Sequence, residues 1–218
     1  VSTVLNFQTL QFAAGNDLPY VLYLPSYTAT AWHHHKLPAD LQARPLEDVL
    51  RDAEAFAIGD YNQALMLGAA LPAERRAAVA RQMARLTGLS EAYVDRADLR
   101  VSLSRFGREL LAAESQVIGR FDGRYKGPIR DRVNDSMEYD PSGEGVFSAY
   151  ASTFNDYSRG ELNYESDQPY EILNGLGWNW GEANGYLNVA ETLANSLTRN
   201  PFLKVHVAEG YFDLATPY

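Results

Sequence analysis

Apolar residues recur at three- and four-residue spacing through the middle of the chain, which predicts helices packed on one face. The first stretch runs from Pro45 to about Leu67, and Gly68 is predicted to end it. Similar stretches follow at 72–86, at 90–97 after the predicted N-cap Ser90, and at 102–114. Together they predict a layer of helices separated by short turns. A further helix is predicted over 146–162.

The two ends of the chain have a different pattern. The run from Val1 to Phe7 is apolar and β-branched, which predicts the end of a buried strand. Near the other end, a predicted helix over 189–198 is followed by a predicted strand over 202–210. A short hairpin is expected over 115–127, and the aromatic, Gly- and Asn-rich stretch 164–186 is expected to be an ordered loop. The predicted class is therefore α/β, with a helical block between two fragments of a core.

Composition and charge exclude several classes of protein. The chain has 218 residues, of which 46% are apolar, so it can fill a core and is not disordered. Nineteen basic against 28 acidic residues give a net charge of −9, which argues against a nucleic-acid partner. No apolar run is long enough to span a membrane. Since the chain has no Cys, thiolate chemistry and Cys-bound metals are excluded.

Most candidate catalytic motifs have simpler interpretations. No G-x-S-x-G nucleophile motif exists, and Ser90 is better explained as a helix cap. The adjacent His33, His34 and His35 lack the spacing of metal ligands, so no metal or cofactor is expected and a partly exposed polar run is favoured. His206 lies in the predicted last strand, where a core or sheet-face histidine is favoured over a catalytic base.

Two features carry candidate functions. The aromatic residues Trp178, Trp180 and Tyr186 form a candidate stacking surface for a sugar or a peptide side chain. Asp213 follows the predicted last strand in a turn bounded by Gly210 and Pro217. In an open α/β sheet, ligands bind outside the carboxyl ends of the strands, so a carboxylate there can orient a histidine.

The segment from Asn200 to Pro217, NPFLKVHVAEGYFDLATP, closely resembles the aspartate region of the serine carboxypeptidase family, in the α/β-hydrolase superfamily. Shorter segments resemble the bacterial branch of that family: they are NFQT at 6–9, GNDLP at 15–19, KLPAD at 36–40, NDY at 155–157 and DQPYE at 167–171. The resemblance extends over nearly the whole chain, and the segment ending at Pro217 is its most specific part.

The resemblance implies a division of the chain into parts. Residues 1–30 would be a core segment following the nucleophile helix, 31–162 a helical cap, 163–186 the aromatic loop region, and 187–218 the returning helix and strand. Asp213 would be the aspartate of a catalytic triad. The family's nucleophilic Ser and oxyanion segment are expected upstream of Val1, and its His downstream of Tyr218. The chain is therefore expected to be an inactive part of an enzyme that releases C-terminal residues from peptides through an acyl-enzyme.

The same residues also fit other functions. Ester hydrolysis or acyl transfer fits the same fold, and a non-catalytic module binding a carbohydrate or peptide is the alternative from another class. A cap retained only for assembly contacts is a third. The expected partners are a peptide substrate and the Ser- and His-bearing segments, and a homodimer of the isolated chain is possible because uncovered edges favour self-association. The resemblance favours export from the cytoplasm.

Overall fold

A computed structural model describes residues 4–173, 177 and 187–218, and this part of the chain is mainly helical. The α-helices in it are α1 Leu18–Leu22, α2 Leu24–His33, α3 Ala39–Gln42, α4 Leu46–Phe56, α5 Asn62–Leu67, α6 Ala73–Thr87, α7 Glu91–Arg96, α8 Leu103–Glu109, α9 Pro141–Gly160 and α10 Ala190–Arg199. A π-helical turn, Ala57–Tyr61, joins α4 to α5, and 3₁₀ turns lie at Phe7–Thr9, Gly68–Ala70 and Ala112–Glu114. None of the described helices is long and apolar enough to cross a membrane.

The sheet in the described residues has two short antiparallel strands. β1, Gln116–Ile118, pairs with β2, Lys126–Pro128, with Val117 opposite Gly127. The predicted hairpin is therefore confirmed. Helices make up about 53% of the structure, so the fold is mixed but helix-rich.

The helices predicted from apolar spacing are confirmed, with small shifts at most of their ends. The one predicted over 102–114 is shorter than expected, because α8 ends at Glu109 and Ala112–Glu114 is a separate 3₁₀ turn. Gly68 ends the segment made of α4, the π turn and α5, and Gly88 ends α6 in the left-handed conformation with a φ of 71°. Ser90 caps α7 by accepting a hydrogen bond from the amide of Tyr93, as predicted. The helix predicted over 146–162 begins earlier, because Asp140 caps it and Pro141 occupies its first position.

The core is formed where α2 packs against α4 and α6. Eight consecutive residues of α2, from Leu24 to Ala31, are buried. Apolar side chains of the other elements pack around it, and the largest fully buried ones include Tyr61, Met83 and Phe106. Leu214, near the end of the chain, is also fully buried and belongs to the same cluster. The helical block thus holds the segment around Asp213 against its core.

The two predicted terminal strands do not form within the described residues. Phe7–Thr9 is a 3₁₀ turn, and the Asn6 side chain caps it by accepting a hydrogen bond from the amide of Gln8. The β-type pairing of this segment is limited to an isolated bridge between Asn6 and Asn188 within the described residues. Residues 202–210 are not a strand either. Residues 204–209 are irregular and exposed, because no neighbouring strand in the described part of the chain supplies hydrogen bonds to them. The helix before this segment, α10, is confirmed.

Candidate functional site

Asp213 lies in a tight turn whose backbone fixes its carboxylate. Its own amide donates to the carbonyl oxygen of Gly210 at 3.0 Å, which closes the turn. Oδ1 of Asp213 accepts from the amides of Ala215, at 2.7 Å, and Thr216, at 3.2 Å. Oδ2 accepts from the Thr216 hydroxyl at 2.9 Å. An aspartate that binds its own following backbone in this way has a defined orientation.

Two backbone hydrogen bonds dock this turn onto the turn between β1 and β2. The amide of Leu214 donates to the carbonyl oxygen of Arg120 at 2.9 Å, and the amide of Gly123 donates to the carbonyl oxygen of Phe212 at 2.8 Å. Since they lie on either side of Asp213, they fix both the position and the direction of the segment. The buried Leu214 side chain adds an apolar anchor next to Asp213.

Gly123 is needed for this docking because the backbone comes very close to α2. A Cβ atom added there would lie 2.6 Å from Oγ1 of Thr30 and 3.3 Å from Cδ1 of Leu214. Thr30 is fully buried in α2, so it has little room to move. A side chain at position 123 would therefore separate the Asp213 turn from the helical block.

Tyr23 binds the turn that contains Asp213 through its side-chain hydroxyl group. Its hydroxyl donates to the carbonyl oxygen of Ala215 at 3.2 Å. Burial raises the pKa of Tyr23 well above its usual range; Arg120 partly offsets this rise, and the negative charge of Asp213 adds to it. Tyr23 is therefore a neutral hydrogen-bond donor beside the turn at physiological pH.

The histidine run lies against the same turn, at the end of α2. The His33 ring packs edge-on against the Phe212 ring, with centroids 5.7 Å apart, and the Arg124 guanidinium lies 4.9 Å from the centroid of that Phe212 ring. Nε2 of His34 donates to the carbonyl oxygen of Gly123 at 2.8 Å. Burial lowers the pKa of His34 below its usual value. The adjacent histidines stand out in the sequence, but no local pattern links them to residue 212.

This arrangement leaves one acceptor position of Asp213 open. A carboxylate offers about four lone-pair directions, and the turn uses two on Oδ1 and one on Oδ2. The fourth, on Oδ2, can accept an N–H from outside the turn. Among the described residues, no histidine is hydrogen-bonded to Asp213. The chemistry available here is to orient a donor and to stabilise a positive charge on it.

The other residues singled out from the sequence have different positions. Trp178, Trp180 and Tyr186 lie outside the described residues. His206 is exposed, which corrects the expectation of a core or sheet-face histidine, and the reason is again the missing neighbouring strand. Oε2 of Glu209 is 3.5 Å from the Thr216 hydroxyl, so it lies near the turn without holding it.

The described part of the aromatic region folds back onto the end of α9. Tyr170 stacks on Phe154 with centroids 4.2 Å apart, and the amide of Tyr164 donates to the carbonyl oxygen of Ser158 at 2.9 Å. A pocket of about 160 Å³ lies between these residues and Arg159. Residues 164–173 form neither a helix nor a strand, in agreement with the predicted loop.

Comparisons with known proteins give no further identification. No known protein family, curated protein or solved structure matches the chain. Within residues 4–173, 177 and 187–218, no group of three or more acidic or histidine side chains is arranged to hold a metal ion.

Proposed function

We propose that this chain is part of a serine carboxypeptidase-like hydrolase, in which Asp213 orients the catalytic histidine. The observation that carries the proposal is the Asp213 carboxylate, fixed by three hydrogen bonds from its own turn and left with one free acceptor position on Oδ2. A triad aspartate needs these properties, because it must hold the imidazole in one tautomer and stabilise its charged form.

The segment before the turn supports the proposal in a second way. Residues 204–208 have no backbone hydrogen-bond partner among the described residues, so both of their edges are available for pairing. An inner strand of a sheet would need two free edges of this kind. In the proposed enzyme this segment would pair with strands of the hydrolase core, which would place Asp213 just beyond the carboxyl end of a strand.

The helical block would then act as the cap of the enzyme. It would cover the strand ends, exclude water from the reacting groups and form part of the substrate pocket. Trp178, Trp180 and Tyr186 are proposed as a wall of that pocket. The substrate class would be peptides with a free C-terminus, cleaved by attack of a serine, with the histidine transferring the proton.

The test uses the full natural protein that contains these residues, with an N-blocked dipeptide as substrate. We expect Asp213→Asn to reduce the turnover number by about 10⁴, the loss seen when the triad aspartate of a chymotrypsin-type enzyme is replaced in this way. Glu209→Gln is the matched control, because it removes a nearby carboxylate that does not hold the turn. The 218-residue chain alone is expected to be inactive.

Two results would contradict the proposal. One is an Asp213→Asn protein that keeps its turnover number within a few-fold of the unaltered protein while Glu209→Gln behaves the same. The other is a full natural protein that hydrolyses neither peptides nor esters, which would favour the binding-module alternative.

A further inference from the structure

A cleft of about 540 Å³ lies on the side of the helical block formed by α4, the π turn and α6. Its floor is apolar and includes Phe56, Ala78 and the buried Val79. The Phe56 ring is held by stacking on Tyr61, with centroids 5.9 Å apart and ring planes within 12°. The volume is within the range of small-molecule sites, and the floor is suited to an aromatic or aliphatic group.

The edge of the cleft carries three polar side chains, Asp60, Arg75 and Gln82. Arg75 is the important one, because most of its donors are unused. Its Nη2 donates to Oε1 of Gln63 at 2.6 Å and lies 3.5 Å from Oδ1 of the largely exposed Asp60. Its Nε and Nη1 make no hydrogen bond with the described residues. A guanidinium with free N–H groups at the mouth of an apolar cleft is suited to a carboxylate.

The local charge also favours an anion, although the whole chain is acidic. α6 carries four arginines, at positions 75, 76, 81 and 85, against one acidic residue, Glu74. Arg76 and Arg85 are paired with aspartates at 2.5–2.8 Å. Arg75 is the arginine of this helix that lines the cleft.

The backbone beside the cleft has an unusual form as well. Asp60 lies in the π-helical turn Ala57–Tyr61, in which Gly59 departs from helical φ and ψ values. The chain is therefore kinked at Gly59, next to the residue at the edge of the cleft.

We propose that this cleft binds a small carboxylic acid with an apolar body. The carboxylate would bind Arg75 through two N–H groups, the apolar body would pack on Phe56 and Val79, and Gln82 would bind an amide of the ligand. N-acylated apolar amino acids are the simplest molecules with all three features. This site is separate from Asp213 and does not depend on the proposed hydrolase activity.

The experiment is calorimetric titration of the 218-residue chain with N-acetyl-L-phenylalanine, compared with its methyl ester. We expect saturable binding of the acid and at least about tenfold weaker binding of the ester, because the ester lacks the charge that pairs with Arg75. Arg75→Gln should weaken binding of the acid by a similar factor. Arg81→Gln is the matched control, since Arg81 lies on the same helix outside the cleft, 3.8 Å from Glu91.

A second pair of variants tests the apolar floor. Ala78 lines the cleft and is exposed, so Ala78→Leu should fill it and remove binding without unfolding the protein. Ala77→Leu, also exposed but outside the cleft, should leave binding unchanged. Equal binding of acid and ester, equal losses in Arg75→Gln and Arg81→Gln, or no saturable binding would each overturn the proposal.

Discussion

Three core tyrosines use their hydroxyl groups to hold backbone carbonyl oxygens of distant segments. Tyr61 donates to Leu99 at 2.7 Å, Tyr27 to Val101 at 3.4 Å, and Tyr23 to Ala215 at 3.2 Å. Each bond joins the helical block to a segment without regular structure of its own. Buried tyrosine thus fills volume and also satisfies backbone carbonyl groups of the packed segments.

The Tyr61 bond is expected to be the strongest of the three. Leu99 is buried and has a φ of 60°, and Asp98 before it has a φ of 53°, so this turn is held in a left-handed conformation that side chains disfavour. We expect Tyr61→Phe to lower the free energy of unfolding by about 1.5 kcal/mol, because it leaves a buried carbonyl unsatisfied. Urea denaturation monitored by circular dichroism measures this.

Tyr27→Phe is the matched control for this change. Its bond to Val101 is longer than a well-formed hydrogen bond, so we expect less than half the loss seen with Tyr61→Phe. Equal losses in the two variants would show that the hydroxyl of Tyr61 has no special role in holding the turn.

At the scale of elements, the sequence predicted helices that have one apolar and one polar face. α4, α6 and α7 are of this kind, and Gly68 and Ser90 correctly marked the end of α5 and the start of α7. α2 was missed because it is buried on all sides, so its sequence, LPSYTATAWH, has no polar face to produce a period. The most central helix was therefore the hardest to predict.

The N-terminus of α9 combines a cap with a tertiary contact. Oδ1 of Asp140 accepts from the amides of Ser142 and Gly143, within the helix, and from the amide of Arg120, in the turn that docks Asp213. We expect Asp140→Ala to cost about 2 kcal/mol of unfolding free energy, at the upper end for a lost cap, because these three amides and the Ser142 hydroxyl lose their acceptor. Chemical denaturation tests this.

Two further variants serve as controls for the loss of stability in Asp140→Ala. Ser102 caps α8 through a single bond of 3.5 Å to the amide of Arg105, so Ser102→Ala should cost about 0.5 kcal/mol. Asp140→Asn keeps an acceptor oxygen and should retain most of the stability. If Asp140→Ala were no more destabilising than Ser102→Ala, the contact with Arg120 would contribute nothing.

At the scale of the whole molecule, the sequence predicted the candidate residue Asp213 but not the tertiary contacts that hold it. The turn between Gly210 and Pro217 marked Asp213 as a candidate, and the structure gives its carboxylate the defined orientation described above. The contacts of this turn with Arg120 and Gly123 join segments about 90 residues apart, and no local pattern encodes such a pairing. The predicted strand over 202–210 failed for a related reason, since alternation of apolar residues cannot supply a partner strand.

No residue of α10 or of residues 201–208, just before the Asp213 turn, is buried. Leu203, Val205 and Val207 alternate along an exposed segment that has free backbone edges in the described structure. Such an edge pairs readily with a second copy. We expect the isolated chain to self-associate, so that its average mass in sedimentation equilibrium rises with protein concentration.

Lysine substitutions test whether this segment is the contact. Val207→Lys adds charge to the free edge, which disfavours edge-to-edge pairing, so it should shift the equilibrium towards the monomer. Val133→Lys is the matched control, because Val133 is also highly exposed but lies in the loop before α9. Association that Val133→Lys weakens as much as Val207→Lys would place the contact elsewhere. If the segment is a core strand of the full hydrolase, the full natural protein should be insensitive to concentration, because its own strands would already cover both edges.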